Sequence, residues 1–471
     1  MKNKYGELAK NTIIFACASF GAKLIMFFLL PLYTNVLSTS EYGIVELIIT
    51  TIDLLTPVLT LSITDAILRF GLDKDIPHEK VLKDSFVFLA GVSVIVIILT
   101  PLFGLYRPLK GYEWLVTITM IVFMFRSMFT FYLKSIDKNL FFAIDTIVYT
   151  LLLAGLNILF LVGLKMGVYG YMLSLILASF LSIVFCVIVG HATRPLFKCV
   201  FDKQLLKRML IYSTPLILNA LSWWITHSSD KYMLEYFWSS SEVGIYSAAA
   251  KIPALLSVFS SFFTQAWTLS SVKEYDSDRD KSFYSNIFKL FAATLFIAAA
   301  SIIFITKPFM SVYVGESFES AWKYVPILLV AALFNCFSSF FGSMYVATRR
   351  NIGCSISTLV CAITNIILNF ILIPRYSIFG AAIATAIAYI VVAVYRMLDC
   401  QRTFKFDIQY RKHAFSSVLV ILSAGFMIFS NYRFIVSGIV IVLLVIIYRK
   451  DIFNLLKSVQ EYFKKGNKTK C

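Results

Sequence analysis

Fourteen apolar stretches of about 16–26 residues, spread along nearly the whole chain, leave very few folds open to it. A stretch of that length crosses, as a helix, a hydrocarbon core roughly 30 Å thick. Inside lipid the backbone must satisfy its own hydrogen bonds, so only helices and closed barrels can span. The alternating-polarity tracts of about ten residues that barrel strands require are missing. The stretches run Thr12–Leu37, Ile44–Ile67, Phe86–Leu105, Trp114–Leu133, Phe141–Leu164, Val168–Val189, Leu210–Thr226, Gly244–Leu269, Ile287–Ile305, Val325–Ala347, Ile352–Ile373, Ile378–Val394, Phe415–Ser430 and Phe434–Tyr448. Composition agrees: 59% of residues are hydrophobic, 15% are charged, and mean hydropathy is +0.81. The fold class expected is an all-α polytopic membrane protein of about 14 transmembrane helices.

Charge sets the orientation. With the amino terminus in the cytoplasm, 31 of the 43 Lys and Arg fall inside, eight outside and four within the spans, as the positive-inside rule requires. The net charge of +17 therefore belongs mainly to cytoplasmic loops facing anionic headgroups, and no separate basic domain points to nucleic acid. Both termini are expected in the cytoplasm, and "MKNKYGELAK" reads as a basic lead into a first span too long for a cleavable signal core. Five of the eight cysteines (Cys17, Cys186, Cys336, Cys354, Cys361) lie in spans, while Cys199, Cys400 and Cys471 lie on the cytoplasmic side. With four histidines and no close Cys/His cluster, neither a metal site nor thiol catalysis is expected, and no cofactor is implied.

An internal repeat organises the spans. "STSEYGIVEL" at Ser38–Leu47 returns as "SSSEVGIYSA" at Ser239–Ala248, "YLKSIDKN" at Tyr132–Asn139 as "YVATRRN" at Tyr345–Asn351, and "LKMGVYGYMLSLILAS" at Leu164–Ser179 as "IPRYSIFGAAIATAIAY" at Ile373–Tyr389. Spans one to six thus match seven to twelve. An even number of spans per unit makes the two six-helix lobes parallel, related by a pseudo-two-fold axis along the membrane normal. The expected organisation is a first lobe over 1–190, a cytoplasmic amphipathic linker over 191–208, a second lobe over 209–397, an appended helix pair over 398–448, and a basic amphipathic tail over 449–471. In the linker, Leu196, Phe197, Val200, Phe201 and Leu205 are spaced to share one apolar interfacial face.

Two parallel lobes suit a carrier that rocks around a central site, and ionisable residues at membrane depth then mark the chemistry. Four cations qualify: Lys23 in span one, Arg126 in span four, Lys231 at the end of span seven and Lys251 in span eight. Span two carries a polar stripe of Glu46, Thr50, Asp53, Pro57, Thr60 and Thr64 on one helix face, and span seven sets Asn219, Trp223, Thr226, Asp230 and Lys231 nearly on one face. Glu46, Asp53, Asn219 and Asp230 are the polar or ion-coupling candidates of the cavity, the coupling ion being a proton or sodium. A Lys23–Asp53 ion pair that only fixes packing stands beside this reading. The excess of cations favours an anionic cargo such as a pyrophosphate, which Lys and Arg bind by charge-assisted hydrogen bonds.

The segments "NTIIFACASFGAKLIMFFLLPLYTNVLSTSEYGIVELI", "YSTPLILNALSWWITHSSDKYMLEYFWSSSEVGIYSAAAKI" and "VYVGESFESAWKYVPIL" resemble, in order and spacing, the bacterial polysaccharide transporters. These O-antigen and capsule repeat-unit flippases form a branch of the multidrug/oligosaccharidyl-lipid/polysaccharide exporter superfamily. The resemblance runs from about Asn11 to Tyr448. It implies a flippase of the bacterial cytoplasmic membrane, not an enzyme, that moves undecaprenyl-pyrophosphate-linked oligosaccharides outward by alternating access. It also implies membrane lipids, a polysaccharide polymerase and glycosyltransferases as partners, and a cationic cavity that maps onto Lys23, Lys231 and Lys251. Multidrug extrusion transporters and the peptidoglycan lipid II flippase share the architecture and are the alternatives; a membrane polymerase or acyltransferase would need a large outside loop or a catalytic constellation.

The repeated turns are expected to form an outer gate, with Ser40 and Gly43 on one hairpin and Ser241 and Gly244 on the other. The glycines would supply backbone angles for a tight entry into the returning helices. The plain alternative is that each motif is a capped helix start.

Overall fold

The computed structural model describes residues 20–276 and 280–468. The start of the first apolar stretch (residues 12–19, with Cys17) and Cys471 lie outside the described residues. Among the described residues there is no β-strand, and ten helices are long and apolar enough to cross a membrane.

The helices follow the apolar stretches: α1 Phe20–Val36, α2 Thr39–Leu59, α3 Ile63–Gly71, α4 His78–Phe103, α5 Glu113–Ser135, α6 Asn139–Asn157, α7 Gly167–Val189, α8 Thr193–Lys198, α9 Lys203–Ser213, α10 Leu216–Phe237, α11 Ser240–Asp276, α12 Lys281–Tyr313, α13 Val325–Ala347, α14 Asn351–Thr403, α15 Tyr410–Phe429 and α16 Arg433–Lys468. The 53-residue α14 breaks at Ser377 (φ 50°, ψ −127°), which separates the two apolar stretches read there. The second stretch is also divided, because Leu61 and Ser62 take positive φ just after Pro57 and end α2.

The chain forms two compact units, residues 1–247 and 248–471. The contact division thus falls inside α11 and not in the linker at which the sequence repeat divides the chain. In the first unit α5 packs on α7, α4 and α3, and α10 packs on α2. In the second, α13 packs along α14, and α12 meets α13, α15 and α16. The second unit has an aromatic core, with Trp267 stacked on Phe340 at 4.7 Å and Phe263 on Phe291 at 4.3 Å. Large apolar side chains also point outward, among them Ile95, Ile98, Leu151, Leu159, Ile367 and Val442. Such surface is costly in water and natural in lipid.

The repeat reappears as local geometry. Asp137 and Arg349, in the matched turns, both have φ of 56°, and Gly167 (55°) matches Ser377 (50°). A Cβ on Gly170 would come within 3.1 Å of the Phe160 carbonyl oxygen, and one on its match Gly380 within 2.4 Å of the Leu372 carbonyl oxygen.

The linker differs from its expected form. Its five apolar residues do not share one face: α8 ends at Lys198, Cys199 is extended, and Asp202 caps a new helix by accepting from the Gln204 and Leu205 amides. Leu205 is buried, so it leaves the apolar face, while Phe197, Val200 and Phe201 remain exposed. The break is fixed from outside by the Asp202 amide, which donates to Asp84 Oδ1 at 2.9 Å.

Candidate functional site

The two repeated turns meet. Ser38 caps α2 in a full capping box: its hydroxyl accepts from the Glu41 amide and its amide donates to Glu41 Oε2 at 2.9 Å. Ser240 opens α11 and its hydroxyl donates to Glu235 Oε2 at 2.7 Å. The capped-start reading therefore holds for the first turn, and it coexists with contact between the turns. Thr39 Oγ1 lies 2.7 Å from Ser241 Oγ. A Cβ on Gly43 would sit 1.8 Å from the Ser240 carbonyl oxygen, and one on Gly244 would sit 2.0 Å from the Thr39 carbonyl oxygen.

The role expected of the glycines is thereby corrected. Neither has positive φ and both lie inside helices. They are needed because two backbones approach more closely than any Cβ allows. Ser40 is exposed and Ser241 half-buried beside this contact.

One helical turn further along, α10 holds both α2 and α11 through consecutive residues. Lys231 Nζ donates to Glu46 Oε2 of α2 at 2.8 Å, both side chains being largely buried (16% and 7% exposed), with Thr50 Oγ1 at 3.4 Å. Asp230, buried, accepts from the Tyr246 hydroxyl of α11 and from the Lys231 amide. Trp224 Nε1 donates to the Thr50 carbonyl at 2.9 Å, and Thr51 shares a hydrogen bond of 2.5 Å with the Tyr232 hydroxyl. Glu46 is three residues past Gly43 and Tyr246 two past Gly244, so these bonds act on the same segments that touch. A buried pair broken by removal of one partner costs about 3–5 kcal/mol, and the neighbouring hydrogen bonds complete the polar network.

The other candidates are placed differently. Lys23 and Asp53 are both exposed, and the acid that pairs with Lys231 in α2 is Glu46. Asn219 is exposed near the start of α10. Lys251 is half-buried in α11, seven residues past Gly244, and belongs to the second unit.

Arg126 is already satisfied. Its Nη2 meets Asp145 Oδ2 at 3.2 Å, its Nε donates to Ser182 Oγ at 2.9 Å, and its guanidinium lies 3.7 Å from the Tyr149 ring centroid. It ties α5, α6 and α7 together.

A related three-part polar cluster lies in the second unit. Ser338 and Ser357 stand 212 positions after Arg126 and Asp145, and the buried Arg396 donates to the Ser338 carbonyl at 3.1 Å and to Ser357 Oγ at 2.8 Å. The arginine has moved from the first helix of the cluster to the last.

Asp145, Tyr232 and Tyr246 were not among the residues singled out from sequence. Asp145 carried a usable signal, an acid inside an apolar stretch. The tyrosines carried none, since a Tyr in an apolar helix is ordinary.

Residues 8–268 match the family described as "Polysaccharide biosynthesis protein". The capsular polysaccharide biosynthesis protein CapF of Staphylococcus aureus is 24% identical over 192 residues, 40% of this chain and 48% of that protein. The probable low-salt glycan biosynthesis flippase Agl15 of Haloferax volcanii is 24% identical over 219 residues, 45% of this chain and 46% of that protein. The chain thus spans about half the length of the curated relatives it matches. Among solved structures, the lipid II flippase MurJ in an inward closed conformation superposes with a TM-score of 0.69 at 15% identity, covering 94% of this chain and 99% of that one. An inward-facing multidrug resistance MATE transporter superposes with a TM-score of 0.68 at 16% identity, covering 81% and 94%. These likenesses establish the fold.

Proposed function

Because the chain belongs to the polysaccharide biosynthesis protein family, we propose that it is a flippase for undecaprenyl-pyrophosphate-linked oligosaccharide repeat units in a bacterial cytoplasmic membrane, serving surface polysaccharide synthesis. It works by alternating access, with both termini in the cytoplasm. The observation that carries this reading is Lys231, a membrane-depth cation held by Glu46 one turn below two helix ends that touch through glycine. Lys231 is the cargo-binding cation, with Lys23 and Lys251 as further positive charges for the pyrophosphate; Arg126, bonded to Asp145, positions its helices.

The contact of Thr39, Gly43, Ser241 and Gly244 is the closed outer gate. An anionic cargo competes with Glu46 for Lys231. Once Lys231 turns to phosphate, α2 loses its tie to α10 and the gate can part. A drug exporter with an acid-lined pocket would lack a reason to bury this lysine at the gate.

The test is reconstitution of the full chain in vesicles carrying an undecaprenyl-pyrophosphate-linked oligosaccharide on one leaflet. Protein-dependent exposure on the other leaflet is expected, with at least a tenfold loss in a Lys23→Ala/Lys251→Ala variant. Export of a cationic dye together with no movement of the lipid-linked glycan would overturn the assignment.

A further inference from the structure

A short strap, "FDKQ" at Phe201–Gln204, which leads into α9, returns as a second strap, "FDIQ" at Phe406–Gln409, just before α15. The structures around the two copies match. In the first unit the Asp202 amide donates to Asp84 Oδ1 of α4 at 2.9 Å; in the second the Asp407 amide donates to Ser285 Oγ of α12 at 2.9 Å. Asp84 and Ser285 are 201 positions apart, the offset of the opening repeat. Each Asp also pairs with a lysine of that same helix, Asp202 with Lys80 at 3.8 Å and Asp407 with Lys289 at 2.9 Å. The hydrogen bond from Lys289 holds the exposed Asp407 carboxyl below the usual carboxylate range.

A basic cavity lies beside each copy. The first, of about 990 Å³, is lined by the start of α4, the α5–α6 turn and α8, and includes Lys80, Lys138, Arg194 and Lys198 with Glu79 and Asp137. The second, of about 450 Å³, is lined by the start of α12 and the second strap, and includes Lys281, Lys289 and Lys405 with Asp407. Lys138 donates to the Val189 carbonyl at 2.5 Å, a neutral acceptor. Among the described residues no carboxylate is bridged to Arg194, Lys198, Lys281 or Lys405. Next to Arg194 and Lys198, Phe197 and Val200 are 87% and 80% exposed, an arrangement suited to the boundary between acyl chains and headgroups.

From this repeated arrangement we infer that each unit carries a cytoplasmic-side pocket for the phosphate headgroup of an anionic lipid. Arg194 and Lys198 bind it in the first unit, and Lys281 and Lys405 in the second. The straps hold the third helix of each repeat against the chain leaving the sixth, so the headgroup sits where that junction meets the inner leaflet. The occupant is a membrane lipid, because the exposed Phe197 and Val200 beside Arg194 and Lys198 put the first pocket at the boundary between acyl chains and headgroups. The inference rests on the membrane assignment and on the orientation set by the charges, and not on what the protein transports.

The test is native mass spectrometry of the full chain extracted from nanodiscs of phosphatidylglycerol and phosphatidylcholine, repeated with added glycerol phosphate. Two retained phosphatidylglycerol molecules are expected for the unaltered chain. One is expected for Arg194→Gln/Lys198→Gln and one for Lys281→Gln/Lys405→Gln, the remaining lipid showing that the variant is folded. None is expected when all four are replaced. Equal retention by the variants, or equal retention of phosphatidylcholine, would overturn the pockets; displacement of the lipid by soluble glycerol phosphate at matched concentration would overturn the lipid as their occupant.

Discussion

Replacing Lys231 with Gln is expected to abolish export and to destabilise the protein, and adding Glu46→Gln is expected to restore stability without restoring export. The single change leaves the buried Glu46 carboxylate without its 2.8 Å partner, a loss of about 3–5 kcal/mol. The double change leaves two neutral amides and no buried, unpaired charge. If Lys231 served packing only, the double variant would export normally. If Lys231 binds a phosphate, the double variant melts near the unaltered protein and still fails, because the charge that attracts the cargo is gone. Thermal unfolding and vesicle transport on the same preparations separate these outcomes. Wild-type export by the double variant would reduce the pair to a packing device.

Gly43→Ala and Gly244→Ala are expected to be the most damaging glycine-to-alanine substitutions on α2 and α11. An added Cβ would lie 1.8 Å or 2.0 Å from a backbone carbonyl oxygen, and backbone cannot be rotated away as a side chain can. Alanine otherwise favours a helix over glycine by about 0.5–1 kcal/mol, so any loss measures the forced separation of α2 and α11. Gly91, inside α4 with nothing within 4 Å of its would-be Cβ, supplies the control. Gly91→Ala should export normally; Gly43→Ala should lose export at least tenfold and leak a small impermeant ion through the unsealed gate. Equal, unimpaired export by all three would show that the close approach has no role in transport.

Much of this was legible in the residues, for reasons that can be named. Apolar length locates the helices, and Asp230 and Lys231 stand out because charge at membrane depth needs a partner. Which acid partners Lys231 was not legible. Glu46 and Asp53 share one face of α2, and only the packing of α10 selects the former. Gly43 and Gly244 stood out, but sequence suggests backbone freedom first, and a missing Cβ is visible only when the opposing carbonyl is in place. Arg126 was legible as a charge and not as a satisfied one, since Asp145 lies on another helix. The linker break was written in Asp202, a good N-cap residue, but the apolar spacing around it suggested one continuous face.

The most direct test of the gate joins the two turns covalently. Thr39 and Ser241 are the pair to use, their hydroxyl oxygens being 2.7 Å apart. In a chain whose native cysteines are replaced by Ser or Ala, Thr39→Cys/Ser241→Cys should oxidise readily, stop movement of the lipid-linked glycan, and recover on reduction. Complete cross-linking with export at the normal rate would contradict the account, since the two turns would then never need to part.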